Sequence, residues 1–147
     1  MEVAWEFGIF DFFIIFGAII FLILFVIIKN VADRDRYPEV IDKKFIKGKW
    51  KKIEELFGYG KEMNLKLAVI EADKLLDYVL KEMYFTGDTM GERLKMAAYK
   101  HPKIKQVWWA HRVRNQVVHE TKYILRYGET KKVLSLFKQA LKELKAL

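Results

Sequence analysis

Along most of this chain apolar residues recur in steps of three and four, but the N-terminal segment follows no such rhythm. Phe7 to Ile28, FGIFDFFIIFGAIIFLILFVII, is apolar on every side of a helix, with Asp11 its only charge. At 1.5 Å per residue the run is about 33 Å long, enough for a hydrocarbon core of roughly 30 Å. A core helix of a soluble protein is rarely so uniformly Phe, Ile and Leu, and a cleaved leader needs a basic start, a shorter apolar run and a small-residue cleavage site. Neither description fits, so residues 1–28 are expected to form a retained transmembrane anchor. Asp11 sits about one turn inside the span, where it either reaches the outer headgroups or faces another helix in an oligomer.

Residues 29–44 follow as a basic, polar connector containing Pro38. From 45 to 147 the pattern is helical, with no convincing alternating strand. A short helix from Phe45 to Phe57 meets a stop at Gly58-Tyr59-Gly60. The strongest helix, Asn64 to Tyr84, places Leu65, Ala68, Val69, Ala72, Leu75, Leu76, Val79 and Met83 on one buried stripe. Thr86-Gly87-Asp88 breaks it, and Thr89 with Glu92 makes a capping box for a third helix that stops near His101-Pro102. A fourth helix is expected from Lys103 to Arg126 with Gly128 as its breaker, and a fifth from Glu129 to Leu147. The predicted fold is all-α: an N-terminal transmembrane helix, then a bundle of four to five helices.

Charge adds an orientation. All 27 Lys and Arg lie at or beyond Lys29, and Glu2, Glu6 and Asp11 are the only charges before it. Lys29, Arg34, Arg36, Lys43, Lys44, Lys47 and Lys49 follow the span directly, so the positive-inside rule puts the N-terminus outside and the domain on the cytoplasmic side of the cell membrane. Trp5 suits the outer interface. So basic a domain attracts polyanions, either nucleic acid or the anionic cytoplasmic leaflet. The chain has no cysteine, which removes disulfides and thiolate zinc sites, and its three histidines leave little for a metal centre. Neither a metal nor a cofactor is expected.

Candidate chemistry is concentrated in the fourth helix. At 100° per residue, Ile104, Val107, Trp108, His111, Asn115 and Val118 share one face, with Arg114 about 60° to one side of His111 and His119 about 80° to the other. Polar groups thus occupy the middle of what should be an apolar stripe. Burying them is costly unless they bond to one another or line a site. His119 carries an imidazole, which can move a proton, while Arg114 is permanently charged and fork-shaped, suited to a phosphate. Asn115 can orient either group, and His111 is a supporting titratable group. In the second helix Glu71 or Asp73 either pairs with Arg114 or Arg112 across the bundle or is an exposed carboxylate beside Lys74. Trp108 and Trp109 either stack on bases or divide between the core and an interface. Lys100, Lys103, Lys105, Arg112 and Lys122, with Trp109, are the candidate contacts to a nucleic-acid strand.

Arg114-Asn115-x-x-x-His119, on a late helix of a small basic helical domain, resembles the signature of the HEPN superfamily. The resemblance covers roughly residues 45–147. It implies a metal-independent endoribonuclease, used in defence or as a toxin, in which two protomers set both motifs on a shared cleft. The ribose 2′-OH would attack its own 3′-phosphate, leaving a 2′,3′-cyclic phosphate and a 5′-OH end. Arg114, His119 and Asn115 would then be the catalytic residues, RNA the substrate, and a homodimer or higher homo-oligomer the working form. Many HEPN-like domains bind or scaffold without cutting. The rival expectation is therefore an inactive membrane module, an oligomeric scaffold, pore or sensor, in which Arg114 and Asn115 form a buried network satisfied by His119. A third is an adaptor that binds anionic lipid through the Lys-rich connector.

Overall fold

A computed structural model describes residues 8–34 and 41–147, with the side chains of residues 9, 10 and 30–34 left aside. Trp5, Arg36 and Pro38 lie outside the described residues. The chain divides into two units, Met1–Tyr37 and Pro38–Leu147.

The first unit is helix α1, Ile9–Arg34. Its segment Asp11–Lys29 has a mean hydropathy of 3.1 and none of it is buried. By length and composition it can cross a membrane. Asp11 finds a partner within its own chain: its carboxylate accepts the Gly8 N–H at 3.0 Å, at the positive end of the helix dipole. The helix itself runs on past the apolar stretch, through Lys29 to Arg34.

The second unit holds α2 (Lys43–Gly58), α3 (Glu62–Glu82), α4 (Met90–Lys100), a 3₁₀ turn (Pro102–Gln106), α5 (Val107–His119) and α6 (Tyr127–Glu143). No strand occurs among the described residues. The connector is thus shorter than expected, since Lys43 and Lys44 already belong to α2, whose N-cap Asp42 accepts the Phe45 N–H at 3.0 Å. Helix α3 packs against α2, α4, α5 and α6. It does so because its stripe of Leu65, Ala68, Val69, Ala72, Leu76 and Val79 is apolar over about four turns and withdrawn from solvent. Ile46, Trp50 and Ile53 of α2, Leu94 and Ala97 of α4, and Val133, Phe137 and Leu141 of α6 close around it. Each large side chain so buried contributes roughly 1.5–3 kcal/mol.

The Thr89–Glu92 capping box forms as expected. Beside it lies an ion pair that pattern reading passed over. Arg93 is 7 % exposed, and its Nε donates to Asp77 Oδ1 of α3 at 2.7 Å. Burial acts to raise the Asp77 carboxyl, but the Arg93 and Lys81 contacts outweigh it and hold it below the ordinary carboxylate value. Gly87 has φ +145, and a Cβ there would lie 2.6 Å from Glu92 Cβ, so the turn before α4 requires glycine.

The limits of the fourth and fifth expected helices differ most from expectation. Instead of one helix over Lys103–Arg126, a 3₁₀ turn led by Pro102 feeds α5, which ends at His119. Beyond it the chain turns at Glu120–Tyr123 and buries Leu125. Tyr123 Oη donates to Glu129 at 2.6 Å. Burial and that carboxylate push the Tyr123 hydroxyl up to about 12. The branched Val117 and Val118 offer little helix propensity to resist this tertiary anchoring. Gly128, expected as a breaker, sits in the first turn of α6, which is docked through Thr130 and Val133.

Candidate functional site

On α3 the buried stripe is interrupted by an acid. Asp73 follows Val69 by four residues and precedes Leu76 by three, so the helix turns it inward, and it is only 1 % exposed. A carboxylate at that depth must be satisfied. Its partners come from α5. His111 Nδ1 lies 2.7 Å from Asp73 Oδ1, and Arg114 Nε lies 3.1 Å from Asp73 Oδ2. The second contact is an ion pair without an aligned hydrogen bond, since Arg114 Nε is buried with no hydrogen-bond partner.

The remaining edges of these side chains meet through Asn115. Arg114 Nη1 donates to Asn115 Oδ1 at 2.9 Å, and Asn115 Nδ2 lies 3.3 Å from His111 Nε2. A closed circuit results: Asp73, His111, Asn115, Arg114 and back to Asp73. Arg114 can only donate, so it fixes Asn115 with the oxygen toward the guanidinium and the amide N–H toward the imidazole. His111 Nε2 must then accept, which leaves the proton on Nδ1 facing Asp73. The circuit sets one carboxylate against one guanidinium and leaves Arg114 Nε without a hydrogen-bond acceptor. Trp108 covers it, its ring edge-on to His111 at 6.2 Å between centroids.

Arg114 stands at the margin of this circuit. A quarter of its side chain is exposed, and its Nη2 is committed to no contact in the circuit. His119 does not join. It is the last residue of α5 and exposed, five positions after Arg114 and therefore about 140° away around the helix. The role of buried partner, given to His119 in the scaffold expectation, belongs to His111.

The other candidates separate. Asp73 takes the contact to Arg114, whereas Glu71 holds Lys74 at 3.0 Å. Arg112 is exposed, 200° from Arg114 by helix geometry. Lys100 ends α4, Lys103 and Lys105 lie in the 3₁₀ turn before α5, and Lys122 follows its end. Lys100 sits over the Phe85 ring at 5.4 Å, and Lys103 is 3.4 Å from Glu143. Trp109 is half-buried with the Lys132 ammonium 4.6 Å from its ring centre, so one of its faces is already occupied. Among the described residues no group of three or more His, Asp and Glu is placed to hold a metal ion. No protein-family model, no curated protein and no solved structure matches the chain.

Proposed function

We propose that the chain is a membrane-anchored, metal-independent endoribonuclease of the HEPN type, working as a homodimer with its helical domain on the cytoplasmic side. The observation that carries this reading is the setting of Arg114. Its Nη1 donates to Asn115 and its Nε pairs in charge with Asp73, while a quarter of the side chain stays exposed on the helix that ends in the exposed His119. An arginine so fixed loses little freedom on binding a phosphate, and preorganised charge of this kind is what stabilises a pentavalent phosphorane-like transition state.

One subunit does not bring Arg114 and His119 onto one point, because they diverge around α5. A second copy supplies the missing half. The ribose 2′-oxygen attacks phosphorus while one His119 takes its proton; the 5′-oxygen leaves and receives a proton from the partner subunit's His119. Arg114 balances charge on the non-bridging oxygens. The products are a 2′,3′-cyclic phosphate and a 5′-OH end, and the two imidazoles finish with their protons exchanged. Toxin or defence use follows from such an activity only when it is unleashed on cellular RNA.

The circuit itself favours a second reading, an inactive module in which Asp73, His111, Asn115 and Arg114 only lock α5 onto α3. The two are separated by incubating the purified full-length chain with single-stranded RNA in EDTA. Cleavage with cyclic-phosphate ends is expected. Cleavage that stops in chelator, or intact RNA with a dimeric folded protein, contradicts the proposal.

A further inference from the structure

Helix α2 carries its charge backwards. A helix N-terminus is the positive end of the backbone dipole and favours acids, while the C-terminus favours bases. Here Lys43 and Lys44 occupy the first turn with no acid among them, and the last turn has no base. Lys47, Lys49, Lys51 and Lys52 extend the cationic run, and the helix's only acids, Glu54 and Glu55, come after it. The fold does not use most of these lysines. Ile46, Trp50 and Ile53 dock α2 on the bundle, and all six lysines are exposed. Glu54 is drawn toward Lys138 of α6 at 2.6 Å and Trp50 at 2.7 Å rather than toward its own helix's lysines. Among the described residues Lys43, Lys44, Lys47, Lys51 and Lys52 meet no carboxylate.

Lys44, Lys47 and Lys51 fall within about 60° of one another around the axis, and Gly48 beside them adds no side chain. They form a stripe turned away from the bundle. On the flank of the same helix Phe45 is 43 % exposed, and Phe45, Lys49 and Lys52 border a groove of about 370 Å³ whose floor is Ile53, Leu56 and Leu75. A cationic stripe next to exposed aromatic and apolar surface is the composition that settles at an anionic bilayer interface. The chain itself brings such a surface close: eight residues, 35 to 42, join α1 to α2, and eight residues span at most about 28 Å.

We propose that α2 is a lipid-facing helix whose Lys44–Lys47–Lys51 stripe binds anionic phospholipid headgroups of the bilayer that α1 crosses. The inference rests on α1 spanning a membrane and not on RNA cleavage. The headgroup phosphates balance the lysines that the single N-cap carboxylate, Asp42, leaves without a partner. This places on α2 the lipid affinity that composition alone suggested for the connector.

The test is lysine acetylation of the full-length chain in nanodiscs, of phosphatidylcholine alone or with about a third phosphatidylglycerol. Lys44, Lys47 and Lys51 are expected to react several-fold more slowly in the anionic discs, with Lys95, Lys131 and Lys142 unchanged. In the Lys43→Gln/Lys44→Gln/Lys47→Gln variant, Lys51 regains its reactivity, and the domain melts at or above the wild-type temperature because cations have left the positive end of the helix. Equal reactivity in both discs overturns the proposal and leaves the anchor standing. Protection that appears only on adding RNA assigns the stripe to nucleic acid and also overturns it. A chain that does not enter discs at all removes the anchor and this inference together. A lower melting temperature in the variant makes the lysines part of the fold and counts against a lipid role.

Discussion

Asp73→Ala is expected to destabilise the helical domain by about 3 kcal/mol, the largest effect of any single polar substitution in the bundle. Losing one partner of a buried ion pair costs about 3–5 kcal/mol, because the other is left desolvated. Arg114 keeps a quarter of its side chain in solvent and can rehydrate in part, which sets the value at the lower end. His111 has no such outlet: at 8 % exposure its Nδ1 proton loses its only acceptor. For a domain of this size about 3 kcal/mol is a drop of roughly 12–20 °C in melting temperature, a large share of the whole stability. Asp73→Asn should cost about 2 kcal/mol, since one carbonyl still serves His111 but an N–H₂ then confronts Arg114. Urea titration followed by tryptophan fluorescence reads these differences, as Trp108 sits on the circuit. His111→Ala in the Asp73→Ala background should cost at least about 1 kcal/mol less than in the wild type, because one circuit can be broken only once. An Asp73→Ala cost under about 1 kcal/mol would mean that the four side chains are neighbours and not a unit.

Arg114→Lys separates holding from chemistry. The ammonium still offsets the Asp73 charge, so the stability cost should stay near 1 kcal/mol. Yet a compact point charge cannot hold Asp73, donate to Asn115 and present a planar fork to a phosphate together. RNA cleavage is expected to fall by at least about 100-fold, as when a preorganised donor to a developing oxyanion is removed. Matched cleavage and melting assays check this. A scaffold role alone moves only the melting curve.

The apolar rhythm made most of this architecture legible. The N-terminal helix is a run without a polar side, α3 is one stripe of eight residues, and the capping box names the start of α4 by two side chains. Helix ends that depend on distant contacts were not legible. Nothing local ends α5 at His119; the burial of Leu125 and the Tyr123–Glu129 bond do so. The candidate site was half legible. Residues two apart on a helix point about 200° away from each other, and only position 73 continues the Val69–Ala72–Leu76 stripe. The choice between Glu71 and Asp73 was therefore present in the spacing. Arg93 carried the same signal, a charge among Met90, Leu94 and Ala97, and its partner Asp77 was findable on the facing side of α3. Which histidine closes the circuit was not readable, because both lie near the same face and only the packing of α3 against α5 distinguishes them.

These contrasts make His119 the cleanest probe of the whole proposal. It is exposed, outside the circuit, and makes no contact that the fold depends on. His119→Ala should therefore melt within about 0.5 kcal/mol of the wild type. The measurement to make is its rate of single-stranded RNA cleavage in EDTA beside that of the wild type. A loss of 100-fold or more at unchanged stability is predicted, and a wild-type rate from the folded variant would contradict the assignment of this histidine to proton transfer.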